Sequence, residues 1–184
     1  MSMVNLENCK KIIGDTEISL SLTRIAYQII EDNYPLDENL VLIGIKTGGE
    51  FIARRLHGLI KDITGIDLKM GFIDIGLYRD DLVNVTSDPV LNGTEIDFDI
   101  LSKKVVLIDD IFYTGRTIRA ALDALIDFGR PEFVKLAVIV DRNNGEYPIR
   151  PDYIGKHVLV EKDKKVKMSF KETEGEDFVY VVEK

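Results

Sequence analysis

An apolar run that ends in two aspartates and a threonine-glycine turn constrains this chain more than any other stretch. Residues 105–108 are apolar, Asp109-Asp110 follow, and the turn Thr114-Gly115 comes shortly after. An uninterrupted apolar run is typical of a strand buried on both faces, as in a parallel sheet. Beyond the turn, apolar residues recur at helical spacing until Gly129, which ends the pattern. The segment therefore predicts a strand, an acidic pair, a tight turn and a helix.

The end of this predicted strand offers two kinds of hydrogen-bonding group. Ligands of open α/β sheets bind beyond the carboxyl ends of the strands. The turn and the helix amino terminus supply backbone N–H groups and the hydroxyls of Thr114 and Thr117, which attract a phosphate. The carboxylates of Asp109 and Asp110 repel a phosphate but accept hydrogen bonds from a sugar diol. The pattern therefore indicates a site for a ribose 5-phosphate; the alternative is a surface turn with a charged end.

Residues 105–117 resemble the phosphoribosyl-pyrophosphate (PRPP) motif of type I phosphoribosyltransferases. The resemblance implies that Asp109 and Asp110 are catalytic residues that hold the ribose 2- and 3-hydroxyls. It implies that the loop wraps the 5-phosphate through Tyr113, Thr114, Gly115, Arg116 and Thr117, and that Ile111 also belongs to the PRPP- and nucleotide-binding residues. It also implies an α/β fold with a central, mainly parallel sheet flanked by helices, a small cap and a flexible lid loop, all in one domain spanning residues 1–184.

A second strand, glycine loop and helix precede the motif. Residues 40–45 are apolar, Lys46-Thr47-Gly48-Gly49 follow, and a helix is predicted from about Glu50. A loop with a lysine and a threonine at a helix amino terminus suits a second anion. The resemblance places the pyrophosphate there, bound by Lys46, Thr47 and Gly48.

A polar stretch separates the strand predicted at 68–77 from the motif. About twenty residues, 78–98, are rich in Asn, Asp, Thr, Ser, Pro and Gly, and 96–100 are predicted as a short second arm. Polar loops of this length inside a domain are usually lids or disordered segments. A lid would exclude water and bring Arg79, a third candidate catalytic residue, onto the leaving pyrophosphate. A solvated loop of mixed charge is the alternative.

The remaining chain predicts an amphipathic helix and several strands. The helix begins at Ser19 and ends near Asn33, because one apolar stripe runs along it. Residues 134–140 are a further buried strand, 153–160 another, and 166–170 with 178–182 a terminal hairpin. The strands from 153 onward are expected to form the cap, at about 142–184 together with the amino-terminal segment. The base would bind at the end of strand 134–140, through Val140, Asp141 and Arg142.

Composition narrows the class of protein. The chain has 24 Lys and Arg against 32 Asp and Glu, a formal charge of −8, which argues against a nucleic-acid-binding surface as the main feature. The single cysteine, Cys9, cannot form an internal disulfide, so a reducing cytoplasm is expected. No apolar run approaches the length of a membrane span, and the amino terminus lacks a signal-peptide pattern.

Four sequence blocks narrow the resemblance to the PyrR family. They are residues 44–47, 77–82, 109–117 and 148–156. Proteins of that family are uracil phosphoribosyltransferases, and many also regulate pyrimidine operons by binding messenger RNA. Tyr113 favours a pyrimidine, since hypoxanthine-guanine enzymes usually place an Asp there to face purine N7, which uracil lacks. The resemblance implies that PRPP and uracil are the substrates and that UMP and pyrophosphate are the products. It also implies a Mg²⁺ cofactor, held mainly by the substrate and also by Asp109 and Asp110. The expected assembly is a homodimer or homotetramer.

The chain departs from that family at several positions. Gly48 replaces an Arg often seen in the pyrophosphate loop. Tyr27 and Asp32 stand where RNA-binding members tend to have His and Arg, and the turn at 143–145 lacks their His and Arg. Because RNA affinity depends largely on phosphate neutralisation, weak or absent RNA binding is predicted. The alternatives are an RNA-binding attenuator of pyrimidine genes, a hypoxanthine or guanine phosphoribosyltransferase, and a non-catalytic nucleotide sensor.

Overall fold

The computed structural model of the protein describes residues 9–76, 78 and 93–183. Arg79 and most of the predicted lid loop lie outside the described residues. The helices and strands are β1 (Lys10–Gly14), α1 (Asp15–Asp32), β2 (Leu40–Ile45), α2 (Gly48–Thr64), β3 (Lys69–Ile73), β4 (Lys104–Phe112), α3 (Arg116–Ile126), β5 (Phe133–Asp141), β6 (Tyr153–His157), β7 (Lys164–Ser169), α4 (Lys171–Glu174) and β8 (Phe178–Glu183).

Five parallel strands form the central sheet, in the order β3-β2-β4-β5-β6. All six residues of β2 are buried, as the continuous apolar run predicts for a strand covered on both faces. Leu42 lies opposite Val106 of β4, and Ile108 of β4 lies opposite Ala137 of β5. This register sets the carboxyl ends of β2, β4 and β5 side by side at one edge of the sheet.

Helices cover both faces of the sheet. Alternate residues of β2 point to opposite sides: Leu40 and Leu42 pack in one apolar cluster with α1 and α2, and Val41 and Ile43 pack in a second cluster with α3. The predicted α/β architecture with a mainly parallel sheet between helices is confirmed. α1 begins at Asp15, four residues before the prediction, because the Glu17 carboxylate accepts a hydrogen bond from the Gly14 N–H and caps the helix.

A second, antiparallel sheet of order β1-β8-β7 lies apart from the first. The terminal hairpin is confirmed, since β7 and β8 pair along their length. The short strand β1, which carries little sequence pattern, adds to the edge of β8. The prediction that the strand from residue 153 belongs to the cap is wrong, because β6 pairs with β5 in the central sheet. Residues 96–100, predicted as a second arm of the loop, contain no strand, and Glu95 just before them makes an isolated bridge with Phe72 of β3.

The Arg55 guanidinium on α2 joins the central layers to the small sheet. It donates two hydrogen bonds to the Asp177 carboxylate, at 2.9 and 2.7 Å, and two to the Glu172 carboxylate, at 2.9 and 2.6 Å. Burial alone would raise the pKa of Asp177, but hydrogen bonds from Arg55 and from the Lys171 N–H outweigh it and hold that pKa below its usual value. The two-carboxylate clamp therefore fixes α4 and β8 against α2.

Replacing Arg55 with Met should lower the free energy of unfolding by about 2–4 kcal/mol, because it leaves the buried Asp177 without its cation. Urea denaturation at pH 7 measures the loss. A carboxylate with a depressed folded pKa stabilises the protein above its unfolded pKa and stops doing so as the pH falls through its folded pKa. The difference between wild type and variant should therefore shrink toward pH 2. Arg54→Met, which removes an exposed cation next to it, is the control; an equal loss in both variants would contradict the clamp.

Candidate active site

The central feature of the site is a small pocket at the amino terminus of α3. Residues 111–118 line a cavity of about 280 Å³. Gly115 has φ of +90°, a conformation that side chains disfavour, and this lets the chain turn directly from β4 into α3 at Arg116. The backbone N–H groups of the first helical turn, with Thr114 and Thr117 beside them, form the anion-binding arrangement that the sequence predicts. The predicted residues Ile111, Tyr113, Thr114, Gly115, Arg116 and Thr117 all lie here.

A wider cleft of about 560 Å³ adjoins this pocket. The two cavities share Ile111 and Tyr113. The cleft is lined by Asp110, Ile111, Tyr113, Arg142, Lys165, Val166, Lys167, Met168, Glu174 and Tyr180. One carboxylate of the acidic pair thus faces a space large enough for a sugar and a base, next to the pocket suited to a phosphate.

The two aspartates differ in position, because β4 continues through both of them to Phe112 and neighbouring strand residues face opposite sides. Asp110 lines the cleft, and its carboxylate accepts a hydrogen bond from the Ile111 N–H at 2.8 Å. Burial raises the pKa of Asp110, against hydrogen bonds that lower it. Asp109 is buried, and its carboxylate accepts a hydrogen bond from the Asp110 N–H at 3.0 Å. Asp109 is not among the residues that line the cleft.

The start of α2 lies directly against the acidic pair. A Cβ atom added at Gly48 would be 2.5 Å from Oδ2 of Asp110, and one added at Gly49 would be 2.2 Å from the Ile108 carbonyl oxygen. A side chain at either position would force a neighbour to move: the Asp110 carboxylate at residue 48, and the β4 backbone at residue 49. The peptide bond between Lys46 and Thr47 is cis. Thr47 is exposed at the amino terminus of α2, where an anion would meet backbone N–H groups.

Lys46 does not line either cavity. Its side chain is 6% exposed, and its ammonium lies 2.5 Å from the Glu95 carboxylate. The Lys46 side chain is therefore directed toward Glu95, and the predicted place of Lys46 in the pyrophosphate loop stays a prediction.

The three residues proposed for the base occupy different places. Val140 is fully buried in the apolar cluster with α1 and α2, so its side chain does not reach the cleft. The Asp141 carboxylate accepts a hydrogen bond from the Asn143 N–H at 2.7 Å and lies 3.2 Å from His157 Nδ1, in a separate cavity of about 430 Å³. Arg142 alone lines the cleft beside Asp110.

Arg142 is a buried cation held by neutral groups. It is 3% exposed, its guanidinium stacks 4.0 Å from the centre of the Tyr113 ring, and Nη2 donates to the Glu161 carbonyl oxygen at 3.1 Å. Its Nε has no hydrogen-bond partner, and no carboxylate of the described residues pairs with the side chain. A buried, incompletely satisfied guanidinium beside a cleft is suited to an acceptor or an anion on a ligand.

Lining residues from the small sheet were not predicted individually. They are Lys165, Val166, Lys167, Met168 and Tyr180, from β7 and β8, with Glu174 of α4. The cap over the base was predicted, but a strand pattern does not tell which side chains meet a cleft. The spacing of Lys165 and Lys167 does indicate that these two side chains lie together, because residues two apart on a strand share a face.

Two further findings concern the described residues as a set. No helix among them is both long and apolar enough to span a bilayer. No three of their His, Cys, Asp or Glu side chains converge in a way that would hold a metal ion. A metal at this site would instead be bound by the Asp110 carboxylate together with oxygen atoms of a ligand, an arrangement that suits Mg²⁺.

Comparison with known proteins identifies the family. The family model for the phosphoribosyl transferase domain matches residues 13–171. The chain is 48% identical over 168 residues to the "Bifunctional protein PyrR" of Deinococcus radiodurans, covering 91% of each chain. It is 49% identical over 175 residues to the protein of that name from Halalkalibacterium halodurans, covering 94% of this chain and 97% of the relative.

Solved structures agree on the fold. A hypoxanthine-guanine phosphoribosyltransferase from Bacillus anthracis has a TM-score of 0.71 at 20% identity, covering 96% of this chain and 99% of that one. A hypoxanthine phosphoribosyl transferase from Trypanosoma cruzi has a TM-score of 0.72 at 21% identity, covering 97% and 93%. These matches confirm the predicted type I phosphoribosyltransferase fold. The chain belongs to the phosphoribosyl transferase domain family and, within it, to the PyrR proteins.

Proposed function

We propose that the protein converts uracil and PRPP to UMP and pyrophosphate in pyrimidine salvage. The observation that carries the proposal is the shared wall of the two cavities. The Asp110 carboxylate faces one cavity, the amino terminus of α3 faces the other, and Ile111 and Tyr113 belong to both. A ribose 5-phosphate needs this pairing of acceptors for its hydroxyls with donors for its phosphate.

The reaction is a substitution at the ribose anomeric carbon. The bond to pyrophosphate breaks with its electron pair leaving on the pyrophosphate oxygen, and positive charge develops on the ring. The uracil nitrogen attacks from the other face and releases its proton to water. The protein contributes positioning and charge stabilisation. Asp110 orients the ribose hydroxyls, the α3 amino terminus fixes the 5-phosphate, and the backbone at Lys46, Thr47 and Gly48 receives the pyrophosphate at the start of α2.

Mg²⁺ would be held by substrate oxygens, water and Asp110, and it would neutralise charge on the pyrophosphate. Asp109 supports Asp110 from the buried side of the strand, through the hydrogen bond to its N–H. Arg79 remains our candidate for a lid cation on the leaving group, and it lies outside the described residues. A cytoplasmic location is also proposed, because the single cysteine, Cys9, cannot form an internal disulfide.

Arg142 and Tyr113 support a pyrimidine in preference to a purine. The uracil carbonyl oxygens are acceptors that suit the Arg142 guanidinium, which lines the cleft with Asp110. The Tyr113 ring lies under that guanidinium, at the position where an aspartate would face purine N7 in the hypoxanthine-guanine enzymes. No carboxylate is therefore supplied there for a purine.

A steady-state assay with Mg-PRPP and a panel of bases tests the proposed reaction. Uracil should be the preferred base, with kcat/KM for hypoxanthine and guanine lower by at least about a hundredfold, because a site lacking a required polar partner rejects a base strongly. Release of pyrophosphate measures turnover. Preference for a purine, or PRPP binding without turnover of any base, would overturn the uracil assignment.

Replacing Asp110 with Asn should lower kcat/KM by at least about a hundredfold, because the amide cannot accept both ribose hydroxyls as the carboxylate does. Thermal denaturation should show equal or higher stability at pH 7. Because burial raises the pKa of Asp110 in the folded protein, its charged carboxylate destabilises the fold above the unfolded pKa. The stability gained by Asp110→Asn should therefore vanish as the pH falls below about 4, where the carboxyl group is protonated in both states. Asp123→Asn, an exposed position on α3, is the control. Unchanged turnover in Asp110→Asn would remove its role.

RNA-dependent regulation of pyrimidine genes is the second candidate. Its support is the name of the close relatives, which calls them bifunctional. The charge pattern points the other way, since the chain carries −8 overall and, although Arg24 matches the RNA-binding members, it lacks their basic side chains at residues 27, 32 and 143–145.

We expect binding of a pyrimidine-operon leader hairpin to be no tighter than about 1 µM at physiological salt, the range of non-specific electrostatic binding. Fluorescence anisotropy with the leader and with a scrambled hairpin measures both affinity and specificity. Nanomolar binding that distinguishes the two RNAs would establish the regulatory role and refute the charge argument.

A further inference from the structure

We propose that Glu95 is a positioning residue that holds the pyrophosphate loop in its binding conformation through Lys46. The proposal rests on the proposed function only in taking residues 46–48 as the site of the pyrophosphate group. It assigns a role to a residue that follows the 79–92 segment in the chain and lies outside both cavities of the active site.

The ion pair joins an exposed group to a buried one. The Glu95 side chain is 61% exposed, whereas that of Lys46 is 6% exposed, and Oε1 lies 2.5 Å from Nζ. The hydrogen bond from Lys46 and its charge, with a further contribution from Arg54, hold the pKa of Glu95 below its usual value, so the carboxylate is charged at neutral pH. A nearly buried ammonium depends on polar partners for its stability, and Glu95 supplies an anionic one.

Glu95 is itself fixed by the sheet. Its N–H donates to the Phe72 carbonyl oxygen at 2.7 Å, and its own carbonyl accepts from the Phe72 N–H at 2.9 Å. Preceding it, the Thr94 hydroxyl accepts a hydrogen bond from the Asp74 N–H at 3.1 Å. The backbone that carries the carboxylate is therefore anchored to β3 and to the residue that follows it.

The loop is thereby held from two sides. Toward β3, the Lys46 N–H donates to the Ile73 carbonyl oxygen at 3.0 Å, and the Lys46 ammonium contacts Glu95. Toward β4, Gly48 packs on the Asp110 carboxylate. Loss of the Glu95 contact frees one side of the loop, which misplaces the backbone N–H groups that would receive the pyrophosphate.

Calorimetric titration with Mg-PRPP, without any base, tests this role. Glu95→Gln should weaken binding about tenfold, the loss expected for one interrupted ion pair beside a buried cation. Glu95→Asp should recover part of the affinity. Asp97→Asn, which neutralises an exposed carboxylate two residues further along, should bind as the wild type does. In steady-state assays, KM for PRPP should rise while kcat and KM for the base stay near wild type.

A double-mutant cycle shows whether Glu95 acts through Lys46. In a Lys46→Met background, which removes the ammonium, the added change Glu95→Gln should cost less than twofold. The proposal is overturned if Glu95→Gln binds Mg-PRPP as tightly as or more tightly than wild type, or if its full cost persists in that background. If the wild-type protein binds Mg-PRPP but uses a base other than uracil, the proposed function is overturned. The role of Glu95 can still be tested in that case, because the binding measurements contain no base.

Discussion

The close approach of α2 to β4 is the contact on which the geometry of the site depends. Gly48 and Gly49 let the first turn of the helix lie on the Asp110 carboxylate and the Ile108 carbonyl, at distances that leave no room for a Cβ atom. The same contact buries Asp110, which raises its pKa, and sets the pyrophosphate loop next to the proposed ribose site. A carboxylate repels the phosphates that a helix amino terminus attracts, and it accepts hydrogen bonds from hydroxyls, so their proximity suits a substrate that carries both hydroxyls and phosphates.

Strands could be predicted from the sequence only where they contain an apolar run or a regular alternation of apolar and polar residues. The buried strands and the terminal hairpin follow from apolar runs and alternation, whereas β1 has five residues, two of them lysines, and no pattern of its own. The misplaced strand β6 shows the other limit. Its composition fits either sheet, and its partner is decided by the crossover that brings Tyr153 opposite Ala137 of β5.

Within the site, the motif predicted the position of the pocket at the amino terminus of α3, but the orientation of each side chain depends on how far each strand continues. Because β4 extends through the acidic pair, Asp110 reaches the cleft while Asp109 does not line it. Asp141 and Arg142 separate in the same way, one toward His157 and the other toward Tyr113. Period-two alternation would predict this split once the strand ends were known, and strand ends are the least certain part of a sequence-based prediction. The Lys46 to Glu95 pair lies beyond such reasoning, because it spans 49 residues.

Glycine at residue 48 changes how an anion must be held. An arginine there would add a mobile cation to the pyrophosphate loop, whereas glycine leaves the task to backbone N–H groups and the α2 terminus. Backbone donors have fixed directions, so their strength depends on the loop being held in one conformation. Gly48 therefore increases the importance of the contacts that orient Lys46 and Thr47. In this chain a surface carboxylate, Glu95, makes one of those contacts, so under the proposed function the affinity for pyrophosphate would depend on the rigidity of the loop.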